Sequence, residues 1–469
     1  MSDTMQNGLT GFWNQHAELP DRPRKPWLGE GSADIVIVGA GFTGLWTALF
    51  LRRLVPDRSV AILEAETVGY GASGRNGGWV SSLLPGNRAR FEKIAGIENT
   101  RRMQRTFIEA VDEIADEFQD LGIDAGAANG GILTVATTEA GMSRAAEKRE
   151  ADVYYGYQPD EVRVLSAGGF RNRINVESAV GGLETSHGMA IQPALAVHGL
   201  ARAVEEAGAT IFENSAVVSF EENRRRLTVR TPVGSREIEA QTILICTEGY
   251  TSPLSRRRSI APINSSMIVT SPLSAGDWAQ IGWNGRQCLN DSAHTFIYSQ
   301  RTSDGRIAIG GRGSPYRFNN GTGGEGTVDR KTIHALTDRL HQFFPQLEFD
   351  VEHAWSGVLG VTRDWNGSVS FNLRTGFGAS LGYAGHGVTA SYVGGRTLAE
   401  LVAGEDTLRT HLPWVDYRPP QWEPEPLRWL GIHAMYRLFG VADSLEERTH
   451  ASRTSLLARL GGRLAGLSE

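Results

Sequence analysis

Gly39, Gly41 and Gly44 stand in the order Gly-x-Gly-x-x-Gly, and Glu64 follows twenty residues after the last of them. Glycines in this order leave bare backbone where a polyanion can lie. Gly39 permits a tight turn, Gly41 lets a pyrophosphate approach the main chain, and Gly44 lets a helix pack closely on a strand. The first N–H groups of that helix are free, and its dipole is positive there, so phosphate oxygens are favoured. A carboxylate at Glu64 accepts hydrogen bonds from a ribose diol. The chemistry in view is the holding of a dinucleotide.

These groups work only if a strand, a helix and a second strand position them. Residues 34–38 form an apolar run that suits a buried parallel strand, and Val60–Leu63 form a second one ending at the acid. Residues 101–121 predict a helix, because Met103, Phe107, Val111, Ile114, Phe118 and Leu121 recur three and four apart before Gly122. Pro193 suits the first turn of another helix and Gly208 its end. Strand Thr210–Phe212 follows, then a hairpin of residues 227–231 and 236–239, then a buried strand over 242–246. That strand runs into Thr247-Glu248-Gly249, a loop that either returns to the cofactor or merely connects the sheet. Residues 294–300 and 306–310 read as a hairpin around 302–305.

Size and composition bound the rest. A chain of 469 residues exceeds one ordinary core, so about two to three domains are expected. The net charge of −6, with no large basic block, argues against a nucleic-acid partner. Cys246 and Cys288 are too few for a disulfide scaffold and lack metal-site spacing, so no metal centre is expected. There is no signal-like N-terminus and no run of eighteen apolar residues, which leads us to expect no transmembrane segment and a cytoplasmic location.

A second glycine-rich loop separates the types of dinucleotide enzyme. Tyr70-Gly71-Ala72-Ser73-Gly74-Arg75-Asn76-Gly77-Gly78 comes only a few residues after Glu64 and either brings backbone N–H groups to a long cofactor already held at its adenine end or serves as a bare turn. With Gly385-His386-Gly387-Val388 near the C-terminus, the chain resembles the D-amino-acid oxidase, glycine oxidase and sarcosine oxidase superfamily of FAD enzymes. The resemblance spans about residues 34–404, and the second loop is most similar to the gamma-glutamylputrescine oxidase branch.

The resemblance implies an α/β FAD-binding Rossmann-like domain with an α+β substrate domain built on a large mixed or antiparallel sheet. It implies non-covalent FAD, since no cysteine or histidine stands at a family attachment position. Gly39, Ala40, Gly41, Phe42, Thr43 and Gly44 would hold the pyrophosphate, and Glu64 the ribose. Ala72, Ser73, Gly74 and Arg75 would meet the phosphate or ribityl region, and Asn76, Gly77 and Gly78 the flavin ring. Val217 would contact adenine, Thr247 and Gly249 would lie beside the adenosine phosphates, and Gly385, His386, Gly387 and Val388 would edge the flavin. The implied reaction is oxidation of a C–N bond in a small-molecule amine or amino acid. Hydride passes to flavin N5, the imine hydrolyses, and O2 or another acceptor takes the electrons.

Tyr298, Arg312, Arg363 and His386 are the candidates for substrate chemistry. An arginine there would clamp a carboxylate bidentately, or else form a surface ion pair. Trp79 and Trp355 either wall the pocket or fill the core. The alternatives are a dehydrogenase passing electrons to a quinone or protein, a flavin monooxygenase, and a flavin-binding sensor without turnover.

The expected division is an N-terminal arm (1–30), an FAD domain (31–90, 190–260, 350–410), a substrate domain (91–189, 261–349) and a helical tail (411–469). In the tail, Ser444 and Glu447 fit a capping box. Leu456, Leu460, Leu464 and Leu467 form an apolar stripe among Arg453, Arg459 and Arg463, which suits a helix docked on the body or on a partner. A basic amphipathic helix of this kind also lies on membranes.

Overall fold

The computed structural model describes every residue except 1–4, 10, 16, 18–22, 30–32, 255–257, 312, 314, 323 and 467–469. Two sheets organise the chain. The smaller has six strands in the order Ser368–Asn372, Phe377–Leu381, Thr242–Ile245, Ile35–Val38, Val60–Leu63 and Thr210–Phe212. All of its pairings are parallel except that of the first two strands. Its central strands are buried on both faces and so are apolar, apart from Thr242 at the start of one of them.

Helices Phe42–Leu54, Pro193–Glu206 and Gly387–Ala403 cover one face. Trp46 lies at the heart of that layer, stacked on Phe50 and Phe118 and edge-on to Tyr392 at 5.0 Å. Truncating such a side chain to alanine costs about 3–5 kcal/mol. On the other face Val36, Val38, Ile243 and Ile245 pack against Leu227, Val229 and Ile238 of a three-stranded meander, Ala216–Glu221, Arg226–Thr231 and Gly234–Glu239.

The larger sheet has nine strands: Gln6–Asn7, Val351–Val361, Ala261–Thr270, Ile307–Gly311, Tyr298–Arg301, Cys288–Asp291, Ile132–Ala136, Gly181–Thr185 and Val162–Ser166. Two of its pairings are parallel and the others antiparallel, so it is mixed.

Several segments fall elsewhere than the sequence suggests. Strand Val351–Val361 pairs along its length with Ala261–Thr270 and belongs to the larger sheet, not with the dinucleotide unit. Helix Ile97–Asp120 sends Met103, Phe107, Ile114 and Phe118 into the core beneath the smaller sheet, so it packs with the dinucleotide unit. The N-terminal arm adds an edge strand and buries Phe12 and Trp13 against Trp355.

In the tail, Ser444 caps nothing, because helix Leu427–Thr449 runs straight through it. Nearby Asp443 instead accepts the N–H groups of His294 and Thr295 at 2.8 and 2.9 Å. With the Ile297 N–H donated to Asp291 at 3.2 Å, these side chains take N–H groups that a strand would need, and the strand begins only at Tyr298.

Candidate active site

A cavity of about 1390 Å3 opens along the carboxyl ends of the parallel strands and reaches the face of the larger sheet. Ligands bind at such strand ends in open α/β sheets. The volume exceeds the roughly 300–1,000 Å3 of an ordinary small-molecule site, leaving room for a dinucleotide and a second small molecule.

The first glycine turn follows from local crowding. Gly39 has φ +103°, and a Cβ there would stand 2.8 Å from the Cys246 carbonyl. A Cβ at Gly44 would lie 2.0 Å from the Gly39 carbonyl, so no larger residue fits where the helix meets the strand. A Cβ at Gly41 would meet Ser73 Oγ at 2.8 Å. Ser73 Oγ accepts the Phe42 N–H at 2.9 Å and so ties the two glycine loops together.

Gly39, Gly41, Phe42 and Thr43 border the cavity, whereas Ala40 and Gly44 shape it from behind. The Ala40 N–H donates to Glu64 at 2.7 Å, and the Glu66 N–H donates to the other Glu64 oxygen at 3.0 Å. A carboxylate has about four acceptor sites, so Glu64 keeps capacity toward the cavity it lines. Burial pushes its carboxyl above the ordinary range, against the pull of those two N–H groups.

The second loop is a short 3-10 turn, Ala72–Gly74, held from outside. Asn76 Oδ1 accepts the Gly78 N–H at 2.7 Å, and its Nδ2 donates to the Ser73 carbonyl at 2.8 Å. Trp13, Trp355 and Gln300 donate to the carbonyls of Asn76, Arg75 and Gly77 at 2.8, 2.9 and 2.7 Å. Ala72, Ser73, Arg75, Asn76 and Gly77 face the cavity, while Gly74 and Gly78 serve the turn. The Arg75 guanidinium sits 4.4 Å over the Tyr70 ring.

Val217, Thr247 and Gly249 line the same space, as do Gly385, His386, Gly387 and Val388. Gly385 has φ +106°, and His386 caps helix Gly387–Ala403, whose N-terminus therefore opens on the cavity. Thr43 Oγ1 donates to Tyr383 Oη at 3.2 Å, joining the first glycine turn to this last segment.

Glu248 escapes the sequence pattern. It lies between Thr247 and Gly249 with φ +44°, an uncommon conformation for a side-chain-bearing residue. Its carboxylate accepts the N–H groups of Gly382 and Tyr383. An acid just past the end of a buried strand is the signal that could have found it. Trp365, with φ +67°, also borders the cavity, and such outliers gather at functional sites.

Among the substrate candidates, Tyr298 and His386 border one cavity. Tyr298 Oη lies 2.8 Å from Ser265 Oγ, and Trp79 meets the Tyr298 ring edge-on at 6.4 Å. Trp355 is core, sealed by Phe12 and Trp13. Arg363 is not brought to the cavity wall. Its Nε donates to Glu423 at 2.9 Å and its guanidinium stacks over Trp422, because the tail passes beside it with a carboxylate to offer. Arg312 lies outside the described residues. On the far wall the cations are already engaged: Arg88 and Lys148 with Asp152, and Arg144 with Glu446.

His294, Asp443 and Glu446 come close enough to suggest a metal site. Their oxygens, however, already accept from His294, Thr295, Arg144 and Ser455, and the cluster fastens the tail to the body.

A glycine-cradled parallel sheet sharing one cavity with a second, sheet-walled chamber defines an enzyme that holds a dinucleotide against a small substrate. Residues 34–401 match the DAO family, described as FAD dependent oxidoreductase, and the chain belongs to that family; FAD is its cofactor. Over 380 residues it is 28% identical to Gamma-glutamylputrescine oxidoreductase of Escherichia coli (strain K12), covering 80% of this chain and 84% of that one. Its fold is similar to glycine oxidase from Geobacillus kaustophilus, with a TM-score of 0.67, 19% identity and coverage of 83% of this chain and 100% of that one. L-proline dehydrogenase from P. horikoshii is similar with a TM-score of 0.63, 19% identity and coverage of 84% and 98%. Among the described residues no helix is long and apolar enough to cross a membrane.

Proposed function

We propose that this enzyme oxidises a C–N bond in an amine or amino acid to the imine, which water then splits. The reading rests on one observation above the others: Tyr298 and His386 border the same cavity as Glu64 and both glycine loops. Bound FAD would supply the acceptor for the two electrons and hydride leaving the substrate carbon. In this reading Glu64 holds the ribose and the turn at Gly39–Gly44 the pyrophosphate. The N-terminus of helix Gly387–Ala403 favours negative charge at the ring edge it faces. Tyr298 and Ser265 orient the substrate by hydrogen bonding, and the aromatic rings of Trp79 and Trp365 exclude water.

Anaerobic mixing of the holoenzyme with a panel of amines and amino acids tests this. Loss of flavin absorbance with at least one member is expected, and full oxidation throughout the panel would reject the reading. The likeness to a dehydrogenase supports a second acceptor class beside O2. Oxygen uptake with and without an artificial acceptor separates the two.

A further inference from the structure

We propose that the C-terminal helical hairpin docks this enzyme on an anionic lipid surface through the leucine face of its final helix. That helix, Leu456–Ala465, packs inside out. Among its described side chains the buried residues are small: Ala458 is 4% exposed, and Gly461 approaches the preceding helix so closely that a Cβ would stand 2.7 Å from Leu438. The bulky apolar residues face outward instead, with Leu456, Leu460 and Leu464 exposed by 80%, 55% and 62%. At 3.6 residues per turn these three fall on one stripe, with Leu457 beside it. The preceding helix, Leu427–Thr449, leaves Val441 and Leu445 exposed as well. A helix that only needed to cover its own protein would turn its leucines inward.

Charge selects the occupant. Residues 427–466 hold six arginines against three acids, on a chain whose net charge is −6. The three acids are engaged with the body: Asp443 with His294 and Thr295, Glu446 with Arg144, and Glu447 with Arg339. Arg437, Arg448, Arg453 and Arg459 remain exposed. In a two-fold pair of copies this face would meet itself and set its arginines against one another, whereas a leucine face flanked by cations is the pattern that enters the headgroup layer of anionic bilayers.

The test is sedimentation of the holoenzyme with vesicles of phosphatidylcholine alone or of equal parts phosphatidylcholine and phosphatidylglycerol. Binding is expected to the mixed vesicles only and to fall as salt rises. The triple variant Leu456→Ser, Leu460→Ser, Leu464→Ser should lose about tenfold or more of that binding, as should Arg453→Glu with Arg459→Glu. Because these side chains face solvent, the flavin spectrum and Tm should match wild type, which separates lost docking from lost folding. Wild-type protein left in the supernatant, or leucine variants that bind as before, would overturn the proposal. So would a solution dimer that the leucine substitutions convert to monomer, since the face would then be an interface between copies.

Discussion

Glu248 accepts the backbone N–H of Gly382 at 2.7 Å and that of Tyr383 at 2.9 Å. One carboxylate thus joins the loop after strand Thr242–Ile245 to the segment entering helix Gly387–Ala403. The adenosine end and the flavin end of the proposed cofactor site are coupled by a side chain that itself borders the cavity.

Burial pushes the Glu248 carboxyl up from 4.5 to about 7, against the pull of its backbone donors. The native form therefore binds this proton more tightly than the unfolded form. The stability this group contributes is full below the unfolded value and is lost as pH rises through about 7. Wild-type unfolding free energy should fall more steeply over that window than that of Glu248→Gln, measured by urea titration at several pH values. Equal slopes would assign the ionisation to another group.

Glu64→Gln keeps the side chain's size but turns an amide toward a backbone N–H that needs an acceptor. Charge-assisted hydrogen bonds contribute about 1.5–3 kcal/mol, so affinity for FAD should fall about ten- to a hundredfold in titrations of the apoprotein. Unchanged affinity would remove Glu64 from the ribose site.

Tyr298→Phe deletes the hydroxyl that meets Ser265 and leaves the ring against Trp79. One hydrogen bond corresponds to about 0.5–1.5 kcal/mol, so kcat/KM should drop up to about tenfold with FAD affinity intact. A loss confined to FAD affinity would place the residue with the cofactor.

The two arginines should part company. Arg363→Lys removes a bond to Glu423 at a half-buried, tail-facing site, and should lower Tm slightly while leaving substrate preference unchanged. Arg312→Lys keeps the charge but loses the planar fork, and should depress kcat/KM for carboxylate-bearing substrates more than for neutral amines. Equal effects of Arg312→Lys on both classes would exclude a carboxylate clamp.

Local rules made the dinucleotide unit legible. The apolar runs at 34–38 and 60–63, the glycine spacing and Glu64 all act within about thirty residues of chain, where period and turn chemistry suffice. Helix Pro193–Glu206 and the hairpin that forms the last two strands of the meander were readable for the same reason, but its first strand, Ala216–Glu221, was not. The larger sheet was harder, since pairing Val351–Val361 with Ala261–Thr270 depends on register between distant segments. Arg363 illustrates the limit at the site: its neighbour Glu423 lies 60 residues away, and nothing in the motif around Arg363 announces it. In the tail, the leucine period was visible but not its direction, because facing inward or outward depends on what Gly461 and Ala458 touch.

The smaller sheet has a temporal consequence. Strand Ile35–Val38 is flanked by Thr242–Ile245, and the cavity wall is finished only by the segment at Gly385–Val388. A ribosome that has just released the first glycine turn has made the proposed phosphate cradle with one side missing. Capture of the cofactor must wait until most of the chain has emerged, so the flavin is acquired as a late, nearly post-translational event. Pulse-labelled nascent chains should gain protease resistance from added FAD only after the helix starting at Gly387 is out of the tunnel.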